Sequence, residues 1–491
     1  MTAELARANY RVTLVVLAVG PGAYSLLQSL VSPVLPLLQT NLHTTQNTVT
    51  WVLTAYLLSA SVFTPLLGRV GDMIVKGKVM VAVLATLAAG SILAAVATST
   101  SVMILARAIQ GVGGGVIPLA FGIIRDEFPR EKVPGAVGVI AALLAVGGGF
   151  GLALAGPIVN VLDYHWLFWI PGALVAAAAV ATHLVIPESP VRTPGRISWG
   201  AAGLLSAWLV ALLLAVSEAP IWGWGSLSII GLLAAAVLLA LIWAAVELRA
   251  TQPLIDMRMM RLPAVWTTNL VALLFGAGLY ALFAFMPEFL QTPSSAGYGF
   301  TASITESGLL VLPMSVTMFI SGAASGRLSA RFGAKLVLVA GSAISIVPFL
   351  MLAFAHDHIW QIMFAMMLLG IGFGSAFSAM SNIIVDAVPS TQTGVASGMN
   401  ANIRTIGGSI GAAVMASIVT SQALPSGLPK EIGYTTGFAM LAALLALAAV
   451  AGLLVPTLRG DRDEHQREQA ELSHPQLAIL AAGTVVGDES E

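Results

Sequence analysis

Apolar residues along this chain fall into long unbroken runs separated by short polar turns, and the turns alternate between charged and uncharged. Runs long enough to cross a ~30 Å hydrocarbon layer as helices recur at about 12–37, 49–67, 79–98, 102–123, 135–160 and 165–186, and again at about 265–290, 306–325, 336–355, 359–380, 394–419 and 435–456. Two further runs, about 199–217 and 226–247, lie between these sets. Each run far exceeds the ~10 alternating residues of a membrane barrel strand, so the pattern predicts fourteen membrane-spanning helices arranged six, two and six. The expected fold is an all-α integral membrane protein with two pseudo-repeated bundles. Its divisions are an N-terminal bundle 1–186, an inserted pair with linkers 187–262, a C-terminal bundle 263–458 and a tail 459–491, read as a frayed amphipathic helix or disorder.

Composition agrees: 57% of the 491 residues are apolar and 9% are charged, against about a quarter charged in soluble domains. Most of the outer surface must therefore face lipid. A net charge of −1 leaves no clustered basic face for nucleic acid. The chain has no Cys, which removes disulfides, thiolate nucleophiles and Cys-based metal sites. The first run has no clear small-residue cleavage site behind it and reads as an uncleaved span. Charge also sets orientation. With the N-terminus inside, the Lys and Arg of the turns fall inside, except Lys430, while Arg107 and Arg404 lie within spans. Both termini are expected to be cytoplasmic.

The turn after the second run, "GRVGDMIVKGK" from Gly68, returns after the eighth as "GRLSARFGAK" from Gly326. A motif repeated at the same place in two six-helix halves is the pattern of a transporter built from parallel repeats. An aspartate at a helix end can face a neighbouring helix N-terminus or a cation. Asp72, with Gly68, Arg69 and Lys76, is therefore a candidate latch between halves, with Gly326, Arg327 and Arg331 as its second-half copy. The alternative for the basic residues is that they only set topology.

Several spans carry further signals. Arg107 lies about one and a half turns into the fourth run with Gln110 on the same face, a depth that calls for a cavity or a partner. The fifth run holds Gly147, Gly148, Gly149, Gly151 and a Gly156-Pro157 pair, suited to close helix approach and a hinge. In the eleventh helix of the repeated set, Arg404 sits near mid-span four residues after Asn400 and should face the cavity or a carboxylate. Acids near membrane depth are Glu288 and Glu306, with Asp126 in "RDEF" behind them; Ser303-x-x-Glu306 also reads as a helix capping box. Gln28, Tyr280, Phe283, Phe285 and Asn400, with Met363, Met366, Met367, Met380 and Met399, are candidates for a pocket accepting lipophilic cations or planar compounds. The block most directly expected in the cavity is Gln28, Tyr280, Phe283, Met367 and Asn400.

Taken with the turn motif, the chain resembles the major facilitator superfamily, in particular its fourteen-helix drug:proton antiporters. Gly68, Val70, Asp72 and Lys76 match that family's loop, with Val75 where a glycine is usual and Ala330 where the second copy has an acid. Arg107, Gln110 and Gly111 match its second motif, and Gly156-Pro157 part of its exporter motif, with Asn160 and Val161 replacing the final glycines. The resemblance implies alternating access, proton relay through Arg107, Gln110, Arg404 and a carboxylate such as Glu288 or Glu306, a small lipophilic substrate, and residence in a bacterial cytoplasmic membrane. The helix-1 acid common in the family is missing; Leu27 stands there, with Gln28 beside it. An uptake symporter is the alternative mechanism. An intramembrane enzyme is the alternative class, but the seven His are scattered, no H-E-x-x-H motif occurs, and no G-x-x-x-x-G-K-[ST] loop binds ATP. No cofactor or metal is expected.

Overall fold

The computed structural model describes residues 10–456 apart from 45, 187–197, 251–252, 390–391, 422–423 and 425–427. The tail 459–491 and most of the linker after the sixth run lie outside the described residues. Among the described residues there are fourteen long helices: α1 Tyr10–Ser29, α2 Gln46–Met73, α3 Lys76–Ala95, α4 Thr100–Glu127, α5 Val133–Val161, α6 Trp166–Val185, α7 Trp199–Trp222, α8 Leu227–Arg249, α9 Pro263–Gln291, α10 Ile304–Phe332, α11 Ala334–Phe354, α12 Ile359–Ala387, α13 Thr393–Thr420 and α14 Glu431–Leu453. Among the described residues, thirteen meet the length and hydropathy of a membrane span. The remaining helix, α5, has 29 residues and no charged side chain, enough at 1.5 Å per residue to cross.

Local chemistry fixes several helix ends. Ser99, Ser198 and Ser226 accept hydrogen bonds from the backbone N–H three residues on, satisfying orphan donors at the starts of α4, α7 and α8. Gly333 joins α10 to α11 at φ +89°, a left-handed conformation that glycine adopts without penalty. Within α4 the run Gly113-Gly114-Gly115 tightens to a short 3₁₀ turn, Val112–Gly115, where the helix lies against α2.

Buried side chains of α1 to α6 form one continuous core. A second cluster joins Leu205 and Leu209 of α7 to Val395 and Met399 of α13. The inserted pair is thus unequal: α7 packs into the bundle, whereas α8 exposes Leu227, Val237 and Leu241, as a lipid-facing helix should. With no hydrophobic drive between helices in lipid, close packing of small residues is the main adhesive. The clearest case is α9 on α13, where a Cβ at Gly276 would fall on the carbonyl oxygen of Arg404 and one at Gly407 on that of Leu273.

Gly276→Ala is expected to force α9 and α13 apart and lower stability by about 1–3 kcal/mol, the usual cost of overpacking. Gly231→Ala on α8, where a Cβ meets nothing within 4 Å, should leave stability unchanged or raise it by about 0.5–1 kcal/mol. Thermal unfolding in detergent compares the two.

Candidate functional site

A cavity of about 400 Å³ lies between the halves. Its wall is contributed by α1, α2, α4 and α5 on one side and α9, α12 and α13 on the other, with Ser217 and Pro220 of α7 completing it. Gln28, Tyr280, Phe283 and Asn400 all line it. Gln28 Nε2 donates to the Tyr280 hydroxyl at 2.9 Å, joining α1 to α9 across the cavity. Asn400 Nδ2 donates to Asn269 Oδ1 at 2.9 Å. Met367 is a correction: it stands 36% exposed on the outer surface of α12 and takes no part in the wall. It lies ten residues, about 15 Å along the helix, before Phe377, the first α12 residue of the wall.

Arg107 is fully buried. Its Nε donates to Val52 O at 3.1 Å and its Nη1 to Leu27 O at 3.1 Å and Gln110 Oε1 at 2.8 Å. Gln110 in turn donates to Ser91 Oγ at 3.0 Å. The guanidinium lies 4.2 Å from the centroid of the Tyr56 ring, which stacks on Tyr24 at 5.6 Å. A delocalised cation over an aromatic face is stabilised by the ring quadrupole. Nη2 has no hydrogen-bond partner, and no carboxylate of the described residues pairs with it. Gln110 sits behind Arg107, outside the wall.

Arg404 lines the cavity directly, its guanidinium 4.9 Å from the Phe377 ring centroid. Tyr280 and Tyr24 are the groups within its electrostatic reach. Of the two surroundings expected for it, the cavity or a carboxylate, it has the cavity; among the described residues no carboxylate pairs with it.

The two candidate acids are also displaced from the cavity. Glu306 Oε2 accepts from Ser303 N at 2.8 Å while Ser303 Oγ accepts from Glu306 N at 3.2 Å, a capping box at the exposed start of α10. Glu288 lies in the last turn of α9, exposed and outside the wall. Glu306 stands at a helix N-terminus, whose free N–H groups favour a carboxylate, whereas Glu288 is at a C-terminal end and is exposed. The described lining contains no Asp or Glu at all.

Near the basic end of the bundle, Asp72 is 1% exposed and reaches across to the start of α13, where its Oδ2 accepts from Val395 N at 3.2 Å. Its Oδ1 lies 3.6 Å from Lys76 Nζ, which is 2.8 Å from Asp126 Oδ2. Gly68 brings α2 against Gly394, whose carbonyl a Cβ would meet at 2.5 Å. Arg125 Nη1 donates to Val385 O and, at 2.6 Å, to Thr393 Oγ1. The structure therefore gathers Gly68, Asp72 and Lys76 at a junction between halves, with Arg69 half-buried and within electrostatic reach of Asp72. Gly326 is buried in α10, but Arg327 and Arg331 are exposed, Arg331 over the Phe332 ring at 5.2 Å. On α5, Gly147 and Gly151 face Ser25 and Ser29 of α1, Gly156 faces Thr305 of α10, and Gly148 faces Phe283. Pro157 follows in the same helix.

Residues the sequence did not single out include Tyr24, Tyr56 and Phe377, whose rings carry the two arginines, and Arg125. Lys76 was open to reading as a topology signal and Asp126 as a loop charge; both are buried and paired. Glu218 was also missed. It is a buried carboxylate inside α7, beside the lining residue Ser217 in sequence. An acid within a span was its available signal.

The model of the Major Facilitator Superfamily matches residues 17–412 and 268–487. The multidrug transporter protein MdtP of Bacillus subtilis is 28% identical over 74% of this chain and 66% of its own length. The tetracenomycin C resistance and export protein of Streptomyces glaucescens is 28% identical over 81% of this chain and 73% of its own. A uridine/deoxyuridine transporter of Lactococcus lactis is 27% identical over 80% and 84%. The crystal structure of the human organic anion transporter MFSD10 superposes with a TM-score of 0.67 over 90% of this chain and 99% of that one; at 17% identity it speaks for the fold alone.

Removing the shared cation tests the junction. Lys76→Met leaves Asp72 and Asp126 buried without their common partner and is expected to cost about 3–5 kcal/mol. Adding Asp126→Asn should recover about 1–3 kcal/mol of that loss. Thermal unfolding of the single and double variants gives both values.

Proposed function

Because the chain belongs to the major facilitator superfamily, we propose that this membrane transporter is a proton-coupled exporter of small lipophilic organic compounds, antibiotics among them. The observation that carries the reading is the cavity: one chamber walled by both halves, with a hydrogen-bonded contact between the halves at one end. Alternating access needs both features, a shared site and a junction that can part. The exporter names of two relatives, a multidrug transporter and a tetracenomycin C resistance and export protein, support the outward direction.

In this reading the halves are residues 1–186 and 263–458, and the basic end is cytoplasmic, with both termini there, in a bacterial cytoplasmic membrane. Asp72 caps α13 and holds the cytoplasmic gate closed. The small-residue contacts of α5 with α10 supply a surface on which the halves rock. Arg107 and Arg404 serve the cavity, and Gln110 fixes the rotamer of Arg107. With no carboxylate in the described wall, proton binding falls to Glu218 rather than to Glu288 or Glu306. A buried acid in a span is the group whose charge changes most readily when water reaches it. The uptake symporter is the second reading, which the nucleoside transporter among the relatives supports.

Proteoliposomes with an imposed pH gradient test the proposal. Export predicts proton movement opposite to that of a lipophilic antibiotic. Movement in the same direction establishes the symporter instead. Arg107→Ala should abolish transport while leaving insertion intact, and Glu218→Gln should remove the response to the gradient. Wild-type transport by Asp72→Ala would reject the latch.

A further inference from the structure

The cavity was expected to suit lipophilic cations, yet its fixed charge is positive. Two guanidinium groups belong to the lining, one from each half, and among the described residues neither has a carboxylate partner. Arg107 is fully buried, with Nη2 lacking a hydrogen-bond partner. Its charge is spread over two carbonyls, an amide and a ring, none of which neutralises it. Arg404 lines the chamber and makes a ring contact with Phe377. No acid offsets this from the described wall, which contains neither Asp nor Glu; Asp72 and Asp126 share Lys76 at the basic end. A cavity with low-dielectric walls and one sign of charge concentrates ligands of the opposite sign.

Resting on the transport reading above, we propose that the cargo is an amphipathic organic acid bound as its monoanion. Its carboxylate or phenolate is held by Arg404, whose planar fork matches a carboxylate with two parallel hydrogen bonds. The Tyr280 hydroxyl lies on the same side of the chamber. The apolar body of the cargo packs on Phe283, Phe377 and Tyr56. Arg107, behind the Tyr56 ring, does not touch the cargo; it adds positive potential through the wall. This assignment excludes lipophilic cations as preferred cargo, because a cation would replace the solvent around two unpaired guanidiniums with a like charge.

The test uses three probes with one ring system: 2-naphthoate, 2-naphthalenemethanol and 2-naphthylmethylammonium. Each is titrated into the full-length protein in neutral detergent, with thermal shift and intrinsic fluorescence as readouts. Naphthoate should bind about tenfold or more tightly than the ammonium. Arg404→Gln should weaken naphthoate by about tenfold or more and leave the alcohol unchanged, with Arg404→Lys in between. The wild-type comparison stands even if these variants fold poorly. Ammonium binding as tight as that of naphthoate, naphthoate binding indifferent to Arg404→Gln, or no naphthoate binding at millimolar concentration would each overturn the proposal. Counterflow in proteoliposomes separates this from the transport reading. Naphthoate binding without counterflow of any probe supports the anion assignment and refutes transport. Counterflow of the ammonium in preference to naphthoate keeps transport and refutes the anion.

Discussion

A guanidinium placed in the hydrocarbon-embedded part of a bundle must find all its partners within the protein, and Arg107 sets much of the first half's geometry for that reason. Its acceptors come from three helices: Leu27 on α1, Val52 on α2 and Gln110 on α4 itself. Satisfying them requires α4 to lie close against α2. The glycines after Gln110 permit this, since a Cβ at Gly111 would meet Tyr56 O at 2.6 Å. The same approach puts the Tyr56 ring under the cation and stacks it on Tyr24, so the polar lining of the cavity follows from the burial of one charge. Removing Arg107 therefore removes the reason for the local packing as well as a cavity charge.

The two seams between the halves differ in kind. Along α5 the contacts across the halves are small residues against α10, Gly156 on Thr305 and Gly308 on Ala153, where a change of angle breaks few directed bonds. At the basic end they are directed: a carboxylate on a helix N-terminus and an arginine on a carbonyl and a hydroxyl. A charge at a helix terminus contributes about 0.3–1 kcal/mol, up to ~2 when partly buried. That is enough to bias one state and little enough for binding energy to reverse. Lys76 adds rigidity rather than hold, since both of its partners are in the first half and the pair persists whichever way the gate stands. Of Asp72, Lys76 and Asp126, Asp72 is the one that crosses, beside Arg125.

What could be read from the sequence was whatever depends on neighbours along the chain or on the bilayer itself. The spans, their number and the common side of the basic turns follow from length and hydropathy. Asp72 was legible because a charged helix end has few uses in a membrane, and Glu306 because its cap lies three residues away. Lys76 and Asp126 were not, being fifty residues apart in sequence and neighbours only after α3 and α4 pack. Met367 was misplaced because hydropathy does not show how far along α12 the cavity extends: Phe377, which lines it, lies ten residues on. The sign of the cavity was hidden for a related reason. Two arginines could be seen, but whether acids met them depended on contacts between helices that are distant in the chain.

The positive cavity also bears on how transport would be driven. In the proposed direction an anion leaves the negative side of the membrane, and the potential contributes about 2.3 kcal/mol per charge for each 100 mV. A proton entering in exchange moves down the same field, so both legs of the exchange are favoured electrically and no carboxylate is needed in the chamber to balance the cargo. The return of the empty carrier fits as well. Stripped of its anion, the cavity carries the charges of Arg107 and Arg404 alone, and a chamber holding net positive charge is drawn toward the negative side. The feature that selects the cargo thus also favours the reset of the cycle, whereas a cationic cargo would face the field on export and repulsion in the site.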